Sequence, residues 1–312
     1  MAFKHKHLLE TRSLTLSEIN SVLSTAESFL EISKREVKKV PTLRGKTIVN
    51  LFFEPSTRTR GSFELAAKRL SADIVNFNQT ASSIVKGESL KDTVLNLEAM
   101  SPDALIIRHP CAGAPYFIST FCQSHVINAG DGSHEHPTQA LLDAFTIKQE
   151  KKKIEDLKVV IVGDILHSRV ARSNVFLLQK LGANVVLVGP PPLLPIEFKK
   201  FGVEIDYNLD RAIEGADVIM MLRIQLERQK KNYFPSIREY RNLYSLTKQR
   251  YKKAKKNSII MHPGPINRGV ELSTDLADSA ESVILKQVEN GIAVRMAVLY
   301  ILLGGKERET AD

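Results

Sequence analysis

Several side chains able to hold an anion crowd into one short segment. Glu54-Pro55-Ser56-Thr57-Arg58-Thr59-Arg60 follows the apolar run over residues 46–53, where a buried strand gives way to a helix. Backbone N–H groups at such a helix start lack intrahelical partners, and the helix dipole favours negative charge there. Ser56, Thr57 and Thr59 add hydroxyl donors, and Arg58 adds a guanidinium fork, a set that suits a phosphate group. One hydroxyl would mean only a helix cap. A Pro-initiated turn with two hydroxyl–arginine pairs exceeds that need. The segment has no Gly-x4-Gly-Lys and so is not a P-loop.

Other polar residues stand at similar places. Arg108-His109-Pro110 follows a second apolar run, and His136-Pro137-Thr138-Gln139 opens a helix. His134 and His136 lack a third ligand at helical spacing, and no His-Glu-x-x-His occurs, so no metal is expected. Gly163-Asp164-Ile165-Leu166-His167-Ser168-Arg169 begins like a dinucleotide-binding turn. Only its first glycine fits, and bulky residues block the backbone approach that a pyrophosphate needs, which disfavours NAD. Arg169 and Arg223 each follow a strand pattern, and two guanidinium groups at strand ends suit a ligand with two carboxylates. His262-Pro263-Gly264-Pro265 is a rigid turn after the last strand pattern, able to line a pocket with carbonyls.

The elements that must position these residues alternate strand and helix. A helix with a capping box at Thr15 and Glu18 precedes strand patterns at 46–53, 74–77, 104–107 and 126–128, with helices between them. The charged run Glu150–Asp156 marks a boundary. A second series follows, with strands near 158–163, 184–188, 217–222 and 258–261 and helices near 168–181, 282–288 and 292–303. Asn290-Gly291 reads as a break between the last two helices. Such repetition predicts an α/β fold of two domains, each a parallel β-sheet flanked by helices, with the ligand site in the cleft between them.

Composition is that of a soluble globular chain, with 43% apolar and 25% charged residues in 312. No apolar run approaches the roughly 20 residues needed to span a bilayer. The first residues lack a signal-peptide core, so a cytoplasmic location is expected. Two cysteines are too few for a disulfide framework. The net charge of +9 equals the excess carried by residues 226–256 alone, where eleven basic residues face two acidic ones. With Tyr233, Tyr240, Tyr244 and Tyr251 between them, these cations admit a nucleic-acid reading, since aromatic rings stack on bases. A polyanion site spreads charge over several elements. A solvated basic face, or a mobile cover over an anionic ligand, is the better expectation.

Taken together, Ser56-Thr57-Arg58-Thr59-Arg60, Arg108-His109-Pro110, His136-Pro137-Thr138-Gln139, Arg169, Arg223-x-Gln225-x-Glu227-Arg228 and His262-Pro263-Gly264-Pro265 resemble the aspartate/ornithine carbamoyltransferase family. They occur in the family's order over nearly the whole chain, and they resemble its aspartate branch. The ornithine branch typically has a His-Cys-Leu-Pro turn, and Arg223 would repel an ornithine ammonium. The resemblance implies transfer of a carbamoyl group from carbamoyl phosphate to the α-amine of L-aspartate, an early step towards UMP, with no metal or cofactor. It implies that Ser56, Thr57, Arg58 and Thr59 hold the phosphate. Arg108, His136 and Gln139 would hold the carbamoyl group, its oxygen polarised by Thr59, Arg108 and His136. Arg169, Arg223 and Gln225 would bind aspartate, with backbone contacts from Pro263 and Gly264. Ser82 and Lys86 match a loop that the family borrows from a neighbouring subunit, which implies a homotrimer with shared active sites. Assembly with a regulatory chain or dihydroorotase is open, and no nucleic-acid or membrane partner is implied. The implied domains are a carbamoyl phosphate-binding domain over 1–135 and 287–312, a linking helix over 136–150, and an aspartate-binding domain over 151–286.

Overall fold

A computed structural model describes residues 3–78, 88–225 and 236–304. The chain divides into two compact units, Met1–Leu142 with Glu289–Asp312 and Asp143–Val288.

The first unit opens with α1 (Leu16–Lys34), whose capping box closes through Thr15 and Glu18. It continues through β1 (Thr47–Phe52), α2 (Thr57–Arg69), β2 (Asp73–Asn78) and α3 (Leu90–Glu98). Next come β3 (Ala104–His109), α4 (Ala114–Ser119), β4 (His125–Asp131) and the start of α5 (Pro137–Lys151). The four strands pair in parallel in the order β2-β1-β3-β4. Ile48, Val49 and Leu51 on β1 and Leu105, Ile106 and Ile107 on β3 are all buried, because a parallel sheet covered on both faces has no polar side.

The second unit runs through β5 (Lys158–Val162), α6 (Arg169–Lys180), β6 (Asn184–Val188), β7 (Glu204–Asp206) and α7 (Leu209–Ala212). It ends with β8 (Val218–Met221), α8 (Ile237–Tyr244), α9 (Lys248–Tyr251), β9 (Ile259–Met261) and α10 (Thr274–Ala277). Its strands are also parallel, in the order β7-β6-β5-β8-β9. The core gathers Val160, Val162, Val186, Ile219, Met221 and Ile260.

Each strand order contains one reversal. In the first unit the chain leaves β1 for β2 on one side and later places β3 on the other. In the second it leaves β5 for β6 and β7, then sets β8 and β9 on the opposite side. Loops at the carboxyl ends of the two strands flanking such a reversal part from each other and leave room for a ligand. The reversals lie between β1 and β3 and between β5 and β8. Residues 56–60 and Arg108 lie at the carboxyl ends of the first pair and Arg169, Arg223 and Gln225 at those of the second, whereas His136 and Gln139 follow β4 and Pro263-Gly264 follows β9.

Two element readings need correction. Residues Ile284–Leu303 form one continuous helix, α11, through Asn290-Gly291. A side chain on Gly291 would lie 2.6 Å from Arg295 Nη1 and 3.2 Å from Leu142, so this glycine provides close packing, not a break. Strand β7 leaves no periodic signal in the sequence, because three residues at a sheet edge, two of them acidic, present no apolar run.

Candidate active site

At the first reversal, Ser56 is the N-cap of α2, yet its hydroxyl makes no capping bond to that helix. The hydroxyl is therefore not used up in ending the helix, as a purely structural cap would be. Thr57 and Arg58 are exposed and Thr59 is buried, and the first turn contains no acidic residue to neutralise the dipole. Arg108, at the end of β3, donates from Nη1 to the Ala129 carbonyl at 3.1 Å. Its Nε lies 3.5 Å from the Glu54 carboxylate. The Phe53 N–H donates to the Arg108 carbonyl at 2.8 Å. Thus Glu54 ties the loop after β1 to the loop after β3, across the reversal.

His136 lies just before α5 and is almost fully buried, as is Gln139 one turn into the helix. Burial, reinforced by the guanidinium groups of Arg108 and Arg295, holds the His136 imidazole well below the usual histidine range. His136 is therefore neutral at physiological pH. Arg295 lies on α11 at 5.1 Å from the Phe63 ring centroid. It was not among the expected site residues, although a single cation inside Ile292–Leu303, otherwise an apolar run, was a visible signal.

Asp131, at the end of β4, organises the turn that leads to His136. Its buried carboxylate accepts from Gly113 N at 2.7 Å, Asn128 Nδ2 at 2.8 Å and Glu135 N at 3.1 Å, and holds His134 Nδ1 at 3.1 Å. That bond raises the His134 pKa against the opposing effect of burial. Gly132 adopts φ +45°, and a side chain there would meet the Ala112 nitrogen at 2.7 Å. Potential ligand atoms of Glu10, His134 and Glu135 lie within 4.8 Å of one another, a grouping that sequence spacing could not reveal because Glu10 comes from the amino-terminal segment. The Glu135 carboxylate accepts from the Thr11 N–H and hydroxyl, both at 2.7 Å.

The second reversal repeats this layout. Gly163 ends β5 at φ +137°, where a side chain would lie 2.7 Å from the Leu222 carbonyl, so only glycine lets the chains leaving β5 and β8 come this close. Asp164 is fully buried and bonds His167 Nδ1 at 2.9 Å. Ser168 caps α6, which puts Arg169, buried, at its first position. Gln225 Nε2 donates to the His167 carbonyl at 3.2 Å, joining the loop after β8 to the loop after β5. Arg223, half-buried, precedes it. After β9, His262 is buried and Pro263-Gly264-Pro265 follows, with Gly264 at φ +70°.

The expected residues therefore gather within each unit: Ser56, Thr57, Arg58, Thr59, Arg108, His136 and Gln139 in the first, and Arg169, Arg223, Gln225, Pro263 and Gly264 in the second. Ser82, Lys86 and residues 226–235 lie outside the described residues. Among the described part of the basic stretch, Arg250 and Lys253 pair with Asp210 and Lys255 pairs with Asp217. Tyr240 and Tyr244 are buried, and Tyr251 donates its hydroxyl to the Ser258 carbonyl at 2.6 Å. These rings build the core and are not a stacking surface.

Each of the two parallel α/β units presents arginines at its sheet reversal, a placement suited to anionic ligands. Two family models match the chain. The carbamoyl-phosphate-binding domain of aspartate/ornithine carbamoyltransferases matches residues 6–149, and the aspartate/ornithine-binding domain matches residues 155–302. The chain belongs to the aspartate/ornithine carbamoyltransferase family. It is 58% identical over 309 residues to the aspartate carbamoyltransferase catalytic subunit of Syntrophotalea carbinolica, covering 99% of both chains. Among solved structures it is similar to aspartate transcarbamoylase from Trypanosoma cruzi in complex with N-(phosphonacetyl)-L-aspartic acid. That match has a TM-score of 0.86 at 30% identity over 95% of each chain. It is equally similar to ornithine carbamoyltransferase from Pyrococcus furiosus, with a TM-score of 0.85 at 31% identity over 96% of this chain and 98% of that one. Backbone similarity does not separate the two acceptors. The 58% identity is to a relative named for aspartate.

Proposed function

We propose that this chain transfers the carbamoyl group of carbamoyl phosphate to the α-amine of L-aspartate, giving N-carbamoyl-L-aspartate and phosphate. The observation that carries this reading is Arg169 and Arg223 at the β5/β8 reversal, on a chain 58% identical to an aspartate carbamoyltransferase catalytic subunit. Two guanidinium groups recognise two carboxylates, and they oppose a cationic acceptor such as ornithine.

In this reading Ser56, Thr57, Arg58 and Thr59 bind the phosphate at the start of α2. Arg108, Thr59 and neutral His136 donate to the carbonyl oxygen, and Gln139 holds the carbamoyl nitrogen. The α-amine attacks the carbonyl carbon, and charge grows on its oxygen. The tetrahedral intermediate then collapses: the C–O bond to phosphate breaks, and phosphate leaves with the electron pair and takes up the proton that the attacking amine gives up. Orientation and preorganised donors supply the acceleration. A neutral imidazole suits this role, because it donates an N–H without adding a third positive charge beside Arg108 and Arg295. Arg169, Arg223 and Gln225 hold the aspartate carboxylates, and the Pro263 and Gly264 backbone contacts the acceptor. The product is a precursor of UMP, and a cytoplasmic location fits that role.

Ser82 and Lys86 complete a neighbour's site in a homotrimer. Carbamoyl phosphate and aspartate bring several negative charges together, and a borrowed ammonium offsets their repulsion. A cyclic head-to-tail interface can supply one to each subunit. The test of the reaction is product identity with carbamoyl phosphate and either aspartate or ornithine: carbamoyl-aspartate is expected, and carbamoylation of ornithine would overturn the assignment. For sharing, Arg58→Ala and Lys86→Gln chains, each inactive alone, should regain part of the activity in hybrid trimers. Hybrids proven by mass yet still inactive would place Lys86 in its own chain's site.

A further inference from the structure

The turn after β9 rests on a buried hydrogen-bond chain whose donors and acceptors are fixed by chemistry. The Gly264 N–H donates to His262 Nδ1 at 2.8 Å. A backbone N–H can only donate, so Nδ1 holds a lone pair and the ring proton sits on Nε2. That Nε2 lies 3.1 Å from Glu271 Oε1, which also accepts from Asn267 N at 2.6 Å. His262 and Glu271 are both fully enclosed. The His262 backbone N–H donates to Gln287 Oε1 at 2.9 Å, so the ring's own backbone is anchored as well.

We infer that Glu271 is a positioning residue for the acceptor, acting through the tautomer of His262. This inference rests on the acceptor reading given above. The Pro263–Gly264 peptide is trans and planar, so its carbonyl points opposite to its N–H. Fixing the Gly264 N–H on His262 Nδ1 therefore aims the Pro263 carbonyl away from the imidazole, as an acceptor for an amine. Without Glu271 the ring could carry its proton on Nδ1, where it would oppose the Gly264 N–H and release the peptide plane. Glu271 thus sets the direction of a carbonyl eight residues earlier in the chain without touching the ligand. Sequence spacing gave no sign of it, because an isolated Glu after a proline-rich turn reads as a surface charge.

The experiment compares Glu271→Ala, Glu271→Gln, His262→Asn and the double variant His262→Asn with Glu271→Ala, measuring KM for aspartate, kcat and the dissociation constant for inorganic phosphate. Loss of one such positioned bond corresponds to about tenfold in KM for Glu271→Ala, with phosphate binding unchanged. Glu271→Gln keeps an oxygen acceptor and should stay near the wild-type KM. The Asn side chain presents an oxygen to Gly264 without needing Glu271, so in that background Glu271→Ala should add little. Equal factors in both backgrounds, or a fall in kcat with no change in KM, would overturn the inference. If Glu271→Ala does not fold, ring nitrogen NMR of the histidine-labelled wild type decides. A proton on Nε2 supports the inference, and one on Nδ1 overturns it. Wild type that fails to carbamoylate aspartate would strike the function reading instead.

Discussion

The two units meet the same geometric demand by different physical means. In the first, most of the proposed anion-binding groups come from one seven-residue segment, Glu54–Arg60, and the start of α2 supplies the field. In the second, the proposed acceptor residues are spread over the ends of β5, β8 and β9. Buried polar chains hold them: Gln225 to His167, His167 to Asp164, and Glu271 to His262 to Gly264. Phosphate is the same in every phosphoryl donor, so a local motif suffices for it. Choosing an acceptor requires several side chains to agree in direction, and that agreement is made by long-range contacts. The first unit should therefore lose function without losing stability, whereas the second should lose both together.

The sharpest way to break this contrast is Arg58→Ala. Its side chain is exposed, so turnover should fall by about 10²–10³ with no change in melting temperature. A matching loss of stability would show that the motif also holds the fold. The next effect belongs to the second unit. Asp143 accepts from Asn174 Nδ2 and Gln287 Nε2, both at 2.8 Å, and Gln287 in turn holds His262. Asp143→Ala removes the acceptor of one N–H on each of two buried amides, at a cost of about 2–4 kcal/mol. Calorimetry should show a melting point lower by about 5–10 °C together with a raised KM for aspartate. A variant as stable as wild type would contradict the network account.

The smallest effect concerns pH. Burial near Arg108 and Arg295 lowers the His136 pKa well below 6.5, and burial brings His7 down to about 4. Below pH 6.5 the unfolded chain therefore binds these protons while the folded chain does not. Stability should fall as pH drops from about 6.5 towards the depressed values, each histidine adding at most about 1.4 kcal/mol per pH unit. Urea midpoints of His136→Gln measured between about pH 7 and pH 5 should show a shallower decline than wild type. A decline as steep as that of wild type would mean His136 is not held neutral.

The same contrast explains what could be read from the sequence. Strand and helix alternation showed the parallel sheets because buried strands are unbroken apolar runs, as at Val159–Val162. The proposed phosphate motif stood out in the sequence because its residues are contiguous. Arg169 and Arg223 could be placed at strand ends, where two guanidinium groups suit two carboxylates, and the family resemblance named the ligand as aspartate. The supporting chemistry was not legible. Arg295 approaches His136 from α11, more than 150 positions away in the chain. Glu54 reaches Arg108 across a sheet reversal, and Glu271 reads as a loop carboxylate until its partner is known. Gly291 misled because glycine ends helices in open surroundings, whereas here it makes room for Arg295 and Leu142.

One titration tests the division of labour most directly. Calorimetric binding of inorganic phosphate and of N-(phosphonacetyl)-L-aspartate would be compared among wild type, Arg58→Ala and Arg223→Leu. Both variants should bind the bisubstrate analogue at least tenfold more weakly, since each removes a charge-assisted contact worth about 1.5–3 kcal/mol. Only Arg58→Ala should lose phosphate, with Arg223→Leu binding it as wild type does. Equal loss of phosphate by Arg223→Leu would contradict the assignment of the two ligands to two separate sets of residues.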